Sequence, residues 1–378
     1  MITAKYLVIG AGLTGAAIAW RLAQSGAGVA ILEQSLPASV QGSSHSSARV
    51  FRYTNLDAHL VGLAKRALEG WFELEKVSGN RIVHVNGALD FGAAQDVKGL
   101  ARVLAGEAIE HEILSSADAG KRWPAIRFDT DVLWHPGAAL IDSEVGVWGM
   151  VGAAQRLGAE LVTEFTVTRV EKTDSGYRLH AEDGRVAEGE EVIVAAGGRL
   201  PDFLAMAPVP SRLAAAIRTL EVRQQHVYHF PYRTQPEWGE APWPSVIHKV
   251  VGREVHCLPG RRDSGYAGQK IYYDGGKLLG PAAVQDIQID RREHDLMIDY
   301  VAGQFPGLGT EPFGDGPCIT VTTPQGAFLV EREAGFTIAV PNAGHGAQFA
   351  PVLGELVVEL VNGRRDAALD APKRADSA

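Results

Sequence analysis

Three glycines and one acid near the N-terminus have the types and the spacing needed to bind a dinucleotide. Gly10, Gly12 and Gly15 form the pattern G-x-G-x-x-G after an apolar run at residues 6–9, and Glu33 ends the next apolar run. Such glycines allow a tight turn and bring a pyrophosphate close to the positive end of a helix. The carboxylate can accept hydrogen bonds from ribose hydroxyls and disfavours a 2′-phosphate, so the pattern predicts FAD or NAD.

The elements that must position this site follow from the same stretch. Residues 6–9 and 29–32 are apolar runs typical of buried strands, and residues 16–24 between them have a helical pattern. Strand, helix and strand in this order form a βαβ unit. The uncharged run at residues 6–20 also resembles a signal-peptide core, but its glycine spacing favours a place in the fold. No later stretch is long enough to span a bilayer.

The composition is that of an ordinary soluble protein. The 378 residues include 46% hydrophobic and 21% charged residues, with a formal net charge of -9. That charge disfavours nucleic acid or an acidic membrane surface as a partner. Two cysteines cannot build a disulfide framework, so we expect a cytoplasmic protein, and no metal site is predicted.

A second group of reactive side chains lies in "GSSHSSARVFRYTN", where His45, Arg49 and Arg52 fall close together. Taken alone, this segment would be interpreted as a solvated loop with scattered charges. Together with "LAKRALEGWFELEK", "GKRWPAI", "GYAGQK", "PCITVTTP" and "NAGHGAQF", it resembles the monomeric sarcosine oxidase and N-methyltryptophan oxidase family of FAD-dependent amine oxidases. The matches are collinear over almost the whole chain, so they specify the family more closely than the substrate.

The resemblance implies an α/β fold in which a Rossmann-like FAD-binding domain carries an inserted, mostly antiparallel α+β substrate domain. The FAD-binding domain is expected to be discontinuous, formed by residues 1–78, 141–217 and 318–378. Residues 79–140 and 218–317 would form the substrate and catalytic domain. We expect a monomer or a small homo-oligomer.

The resemblance also selects FAD as the cofactor and implies a covalent link. In the family, a cysteine at the position of Cys318 forms a thioether with the 8α-methyl group of the flavin. Without the resemblance, Cys318 would be interpreted as a small buried strand residue, as Cys257 still is. Further cofactor contacts are implied for Ser43, Arg49, Val170, Gly197, Gly344, His345 and Gly346.

Three basic residues are implied in catalysis by the resemblance. Lys270 matches a lysine that bonds through water to flavin N5 and promotes the reaction with oxygen. Arg49 and His45 match basic residues on the flavin face, whose charge would keep a bound amine unprotonated. A helix from about residue 350 would direct its positive end at the flavin pyrimidine.

Four residues are expected at the substrate. Arg52 matches the arginine that binds the substrate carboxylate. Gln348, Asp274 and His256 stand where sarcosine-type members have lysine, histidine and tyrosine, which suggests a substrate other than sarcosine. Asp274 has two open interpretations: a contact to sugar hydroxyls, as in fructosyl amino acid oxidases, or the start of the turn "YYDGG".

The predicted function is oxidation of a secondary amine, an N-methyl or other N-substituted amino acid. The products would be an imine, which hydrolyses, and H2O2 from O2. A fructosyl amino acid oxidase is the closest alternative. A flavin dehydrogenase is disfavoured by Lys270, and a non-catalytic flavin subunit by the combination of Arg52, Lys270 and Cys318.

Overall fold

The computed structural model describes residues 1–235, 243–279, 290–324, 326–341 and 345–370. The α-helices in chain order are α1 Leu13–Gln24, α2 Ala58–Ser78, α3 Val97–Gly106, α4 Ser116–Arg122, α5 Ser143–Arg156, α6 Phe203–Met206, α7 Ser211–Ile217, α8 Arg291–Gln304 and α9 Gly346–Val361. The strands are β1 Ile2–Ile9, β2 Val29–Leu32, β3 Arg49–Phe51, β4 Val83–Val85, β5 Ala88–Phe91, β6 Glu112–Leu114, β7 Val132–His135, β8 Ala139–Ile141, β9 Glu160–Val162, β10 Val167–Thr173, β11 Gly176–Ala181, β12 Val186–Val194, β13 Glu221–Pro231, β14 Ser245–Val250, β15 Arg253–Pro259, β16 Gly268–Tyr273, β17 Lys277–Leu278, β18 Gly314–Thr322, β19 Leu329–Glu333 and β20 Phe336–Val340.

The first sheet contains the N-terminal βαβ unit. Its strand order is β10-β11-β12-β1-β2-β9, with β20 paired to β12 and β19 paired to β20. β1 runs parallel to both β2 and β12. Leu7 and Val8 in β1 are fully buried although they point to opposite faces, since both faces of a parallel sheet are covered. The predicted α/β class is confirmed.

Helices α1, α2, α5 and α9 pack together beside this sheet. α9 approaches α1 so closely that a Cβ on Gly354 would lie 2.6 Å from the carbonyl oxygen of Ala17. Arg21 in α1 also forms an ion pair of 2.9 Å with Glu355 in α9. The C-terminal helix is therefore held against the dinucleotide-type helix, which fixes where the N-terminus of α9 lies.

The second sheet is mostly antiparallel, as predicted. Its order is β17-β13-β16-β15-β14-β5-β7-β6, with β18 also paired to β13. The pair β14–β5 is parallel, and the other pairs in this sheet are antiparallel. β18 pairs with β13 without a break from Gly314 to Thr322. The predicted domain boundary at residue 318 thus falls inside a continuous strand of this sheet.

The third sheet is small, with the strand order β3-β8-β4. Arg49 in β3 pairs with Ile141 in β8, so the basic segment is anchored in this small sheet. Within the described ranges, no helix is both long enough and apolar enough to cross a membrane.

Candidate active site

The turn between β1 and α1 has the geometry that the glycine pattern predicted. Gly10 has φ +98°, and a Cβ there would lie 2.7 Å from the carbonyl oxygen of Ala195. A Cβ on Gly15 would overlap the carbonyl oxygen of Gly10. These two positions require glycine, one for its backbone conformation and the other for close approach of helix and strand.

Backbone donors at this turn are directed at side-chain oxygens. The Leu13 N–H at the start of α1 donates to Ser44 Oγ over 2.9 Å. Glu33 lies just past the carboxyl end of β2, where Oε2 accepts the Ala11 N–H at 2.7 Å and Oε1 accepts the Ser35 N–H at 2.9 Å. The N-terminus of α1 already binds an oxygen atom, which suits a pyrophosphate. The carboxylate of Glu33 at the end of β2 suits a ribose.

The serine-rich segment folds over strand β18. Ser43 Oγ donates to the carbonyl oxygen of Ile319, the neighbour of Cys318. Arg49 Nη2 donates to the carbonyl oxygens of Ser43 at 3.1 Å and His45 at 2.9 Å. The structure thus brings together Ser43, Arg49, His45 and the strand that carries Cys318.

His45 does not supply the positive charge that the sequence suggested. Burial lowers its pKa, and the nearby charges of Arg49 and Lys270 lower that pKa further. The imidazole is therefore neutral at pH 7, because its pKa is already near 6.5 in water. The cationic character of this segment comes from Arg49.

Lys270 is buried on β16, with 5% of its surface exposed. Its Nζ donates to Ser46 Oγ at 2.9 Å and to the carbonyl oxygen of Ala48 at 3.2 Å. Burial lowers the pKa of Lys270 to about 7, and the charge of Arg49 acts in the same direction. A lysine with this pKa can gain or lose its proton near neutral pH, which is typical of functional lysines.

The two cysteines lie in different environments. Cys318 on β18 is partly exposed, whereas Cys257 on β15 is fully buried, and burial raises the pKa of the Cys257 thiol well above its usual value. A Cβ on Gly198 would lie 2.9 Å from Ile319 Cγ2, so the turn at Gly197 and Gly198 packs on the strand of Cys318. Of the two cysteines, Cys318 is the one that is partly exposed and lies on the strand contacted by Ser43 and Gly198.

Arg52 is bound by two acids. Its Nη1 lies 2.8 Å from Asp90 Oδ1 and 2.9 Å from Thr54 Oγ1, and its Nη2 lies 3.4 Å from Glu254 Oε1. Burial acts to lower the pKa of Arg52, but Asp90 and Glu254 outweigh it and raise that pKa. The guanidinium is permanently charged, and a substrate carboxylate would have to share it with these acids.

The other predicted substrate residues lie near Arg52 or its partner Glu254. His256 Nε2 lies 3.1 Å from Glu254 Oε1, and its ring stacks on Tyr272 with centroids 5.0 Å apart. Gln348 Oε1 lies 3.5 Å from the Arg52 backbone nitrogen. Asp274 is exposed, and its Oδ1 accepts the Gly275 N–H at 3.0 Å, which is the local contact of a turn residue.

The C-terminal helix begins earlier than the sequence suggested. α9 starts at Gly346, with His345 at the N-cap position, rather than near residue 350. Pro351 lies inside α9. Because α9 starts at Gly346, Gln348 belongs to its first turn. Gly344 lies outside the described residues.

Two further predicted cofactor residues lie in the first sheet and at its edge. Val170 is buried in β10, paired with Leu179 of β11, and belongs to the apolar core of that sheet. Gly197 has φ +55° and opens a short 3-10 helix directly after β12. Both contacts with the cofactor stay predictions.

The family profile described as FAD dependent oxidoreductase matches residues 5–360. The chain belongs to this family. Monomeric sarcosine oxidase from Streptomyces avermitilis is 27% identical over 377 residues, which cover 95% of this chain and 93% of the relative. N-methyl-L-tryptophan oxidase from Escherichia coli is 24% identical over 373 residues, which cover 95% of each protein. The resemblance inferred from the sequence motifs is confirmed.

The fold of this oxidoreductase is also that of solved structures. The open form of NikD, described as an unusual amino acid oxidase essential for nikkomycin biosynthesis, superposes with a TM-score of 0.83 at 21% identity. The superposition covers 100% of this chain and 99% of that chain. At this identity the similarity shows the fold, which is the predicted one.

The residues of the oxidoreductase fit FAD. The glycine turn and Glu33 suit the pyrophosphate and ribose, and the turn at Gly197 and Gly198, which follows β12 of the same sheet, packs against β18. Arg49 and Lys270 place positive charge beside the accessible thiol of Cys318. In the described part of the chain, no group of three or more His, Cys, Asp or Glu side chains could hold a metal ion.

Sequence reasoning missed Asp90, Glu254 and Asp263. Asp90 and Glu254 contact Arg52 from distant parts of the chain. Asp263 contacts Ser46 and Ser47, which lie 217 and 216 positions away. Spacing along the sequence therefore carried no sign of these contacts. One signal was available for Asp90: it interrupts the apolar run "ALDF", whose four residues are all buried in β5. An acid in such a strand needs a cationic partner.

We expect Gly15→Ala to yield a protein with little or no bound flavin. The added methyl group would force α1 away from the turn, because it would overlap the Gly10 carbonyl oxygen. The ratio of visible to ultraviolet absorbance of the purified protein measures flavin content. Gly28→Ala is the matched control, since a Cβ there would meet Lys5 N at an ordinary 3.6 Å. Normal flavin content in Gly15→Ala would contradict this account of the turn.

We expect Asp90→Ala to lower the free energy of unfolding by about 3 kcal/mol, because it removes the closest carboxylate from a buried guanidinium. Urea denaturation measures this change. Asp118→Ala, which removes an exposed carboxylate paired with Lys121, should have little effect. Equal losses in the two variants would show that the Arg52–Asp90 pair has no special weight.

Proposed function

We propose that this oxidoreductase oxidises a secondary amine, an N-methyl or other N-substituted amino acid, to an imine that hydrolyses, while O2 is reduced to H2O2. The observation that carries the proposal is the buried Lys270, whose pKa lies near 7 beside Arg49 and Cys318. The names of the relatives, a sarcosine oxidase and an N-methyl-L-tryptophan oxidase, support the substrate class.

When bound, FAD supplies the hydride acceptor and the route of electrons to oxygen. The chain's own task is to bind the amine, hold the charges in place and exclude water. In its protonated form, Lys270 Nζ offers a desolvated cation near the site where oxygen gains its first electron. Arg49 keeps the same region positive while its guanidinium holds the segment from Ser43 to His45.

Cys318 would carry the cofactor covalently through its sulfur. Its partial exposure leaves the sulfur accessible to the cofactor, whereas Cys257 is fully buried. Ser43 and Gly198 pack on the neighbouring Ile319, which holds the thiol at a defined position.

A fructosyl amino acid is a second candidate substrate, and one observation favours it. Arg52 is already paired with Asp90 and Glu254, and Gln348 beside it is neutral. A group of side chains with this charge balance offers hydrogen-bond acceptors for hydroxyl groups and binds a carboxylate less strongly. Asp274 is exposed and lies close enough to Arg52 for its charge to act on the guanidinium.

Oxygen uptake tests the oxidase assignment. The purified holoenzyme is mixed with sarcosine, N-methyltryptophan, pipecolate or fructosyl-valine, and O2 consumption and H2O2 formation are measured with and without an artificial electron acceptor. We expect one peroxide for each oxygen consumed with at least one of these amines. Turnover that appears only with the acceptor would make the protein a dehydrogenase and overturn the proposal.

A further inference from the structure

The carboxylate of Asp263 holds the segment that contacts Lys270. Asp263 lies in a short 3-10 helix, Arg261–Ser264, just before β16. Its Oδ1 accepts the Ser47 N–H at 2.9 Å and the Ser47 hydroxyl at 2.8 Å, and its own N–H donates to Ser47 Oγ at 3.0 Å. Its Oδ2 accepts the hydroxyl of Ser46. Each carboxylate oxygen is thus engaged by the serine pair.

Ser46 links this carboxylate to the lysine. Its Oγ accepts a hydrogen bond from Lys270 Nζ at 2.9 Å, and its hydroxyl proton is directed to Asp263. One hydroxyl can accept from an ammonium and donate to a carboxylate at the same time. We propose that Asp263 is a positioning residue that acts through Ser46 to hold Lys270 in place and keep it protonated.

The backbone of Ser46 supports this assignment. Ser46 has φ +105°, a conformation that favours glycine. A serine in that conformation costs free energy, so the surrounding contacts must hold it there. Its hydroxyl is buried and is the connection between the lysine and the carboxylate.

The groups that act on Lys270 come from several elements. Its charged and titratable neighbours are Arg49 on β3, His45 in the preceding loop, His229 on β13, Cys318 on β18 and Asp263. The pKa values of His45 and His229 are lowered, mainly by burial, so both imidazoles are neutral near pH 7. The charge of Arg49 lowers the pKa of Lys270, whereas negative charge on Asp263 or Cys318 raises that pKa.

Asp263 is a carboxylate over the whole neutral range. Burial acts to raise its pKa, but hydrogen bonds from Ser46 and Ser47 and the charge of Lys270 outweigh burial and lower that pKa. On the proposed function, Cys318 becomes an uncharged thioether when it binds flavin. Asp263 then remains as the anion that offsets Arg49 and favours the protonated lysine.

The pKa of Lys270 measured in the holoenzyme tests this inference. NMR of protein labelled with 13C at the lysine Cε follows the titration, and Lys270→Met identifies the signal. Because Asp263 favours the charged form, Asp263→Asn should lower the pKa of Lys270 by about one unit. Ser46→Gly should also lower the pKa of Lys270. Because glycine suits the positive φ at this position, this second variant tests the link without disturbing the backbone.

Ser47→Ala is the matched control. It removes one donor from Asp263 Oδ1 but leaves the connection through Ser46, so the pKa of Lys270 should stay within a few tenths of a unit of the wild-type value. An unchanged pKa in Asp263→Asn would overturn the inference. An equal fall in Ser47→Ala would also overturn it, because general loosening of the segment would then explain the result.

The pH profile of reoxidation separates this inference from the proposed function. If protonated Lys270 promotes the oxygen reaction, Asp263→Asn should shift the fall of the reoxidation rate with rising pH to lower pH by the same amount. Anaerobic reduction by substrate should keep its wild-type rate. A shifted pKa with an unshifted reoxidation profile would sustain the positioning role of Asp263 and contradict the oxygen role of Lys270.

Discussion

Replacing Lys270 with methionine should slow the reaction of the reduced enzyme with oxygen roughly a hundredfold or more. The buried Nζ lies close enough to the proposed flavin tether, Cys318, for their charges to interact, and methionine fills similar space without a charge. Stopped-flow mixing of the reduced enzyme with oxygenated buffer measures this step. Anaerobic mixing of the oxidised variant with substrate measures binding and reduction, which should change only a few-fold.

Lys277→Met is the matched control for this prediction. Lys277 lies exposed on β17 of the same sheet, so its loss should leave both half-reactions as in the wild type. Comparable losses in oxygen reaction and substrate binding for Lys270→Met would contradict the assignment, because the lysine would then be structural or part of the substrate site.

Replacing Cys318 with alanine should abolish covalent flavin. In the wild type, we expect the yellow colour to stay with the protein after acid precipitation, and flavin fluorescence to migrate with the chain on a denaturing gel. In Cys318→Ala, all flavin should remain in the acid supernatant. A thioether requires an accessible sulfur beside the cofactor, and Cys318 is the accessible cysteine of the two.

Cys257→Ala is the control for the tether. Cys257 is buried in the core of the second sheet, and burial keeps its thiol protonated, so this variant should retain covalent flavin. Complete separation of flavin from the acid-denatured wild type would contradict the covalent link while leaving FAD binding intact.

Local features of the sequence could be predicted well. The tight turn at Gly10 and the close approach at Gly15 depend on residues within one βαβ unit, so their spacing carried the information. Glu33 at the end of β2 follows from the same unit. The apolar and aromatic neighbours of Lys270 on β16 are a local sign of its burial.

Contacts between distant segments could not be predicted. Arg52 was predicted to bind the substrate carboxylate, but its partners Asp90 and Glu254, 38 and 202 positions away on other strands, were not predicted. Asp263 is similarly joined to Ser46 across 217 positions. Such pairs form because buried charges require partners, and a single sequence does not show which acids the fold brings to which bases.

An anaerobic titration of the visible spectrum tests the central claim most directly. The purified holoenzyme is titrated with sarcosine, N-methyltryptophan, pipecolate, fructosyl-glycine and fructosyl-valine in the absence of oxygen. The proposed function predicts that at least one secondary amine bleaches the flavin band. Bleaching by the N-alkyl compounds alone would favour the sarcosine-type substrate, and bleaching by the fructosyl compounds alone would favour deglycation. A yellow protein that no secondary amine bleaches would contradict the assignment of a secondary-amine oxidase.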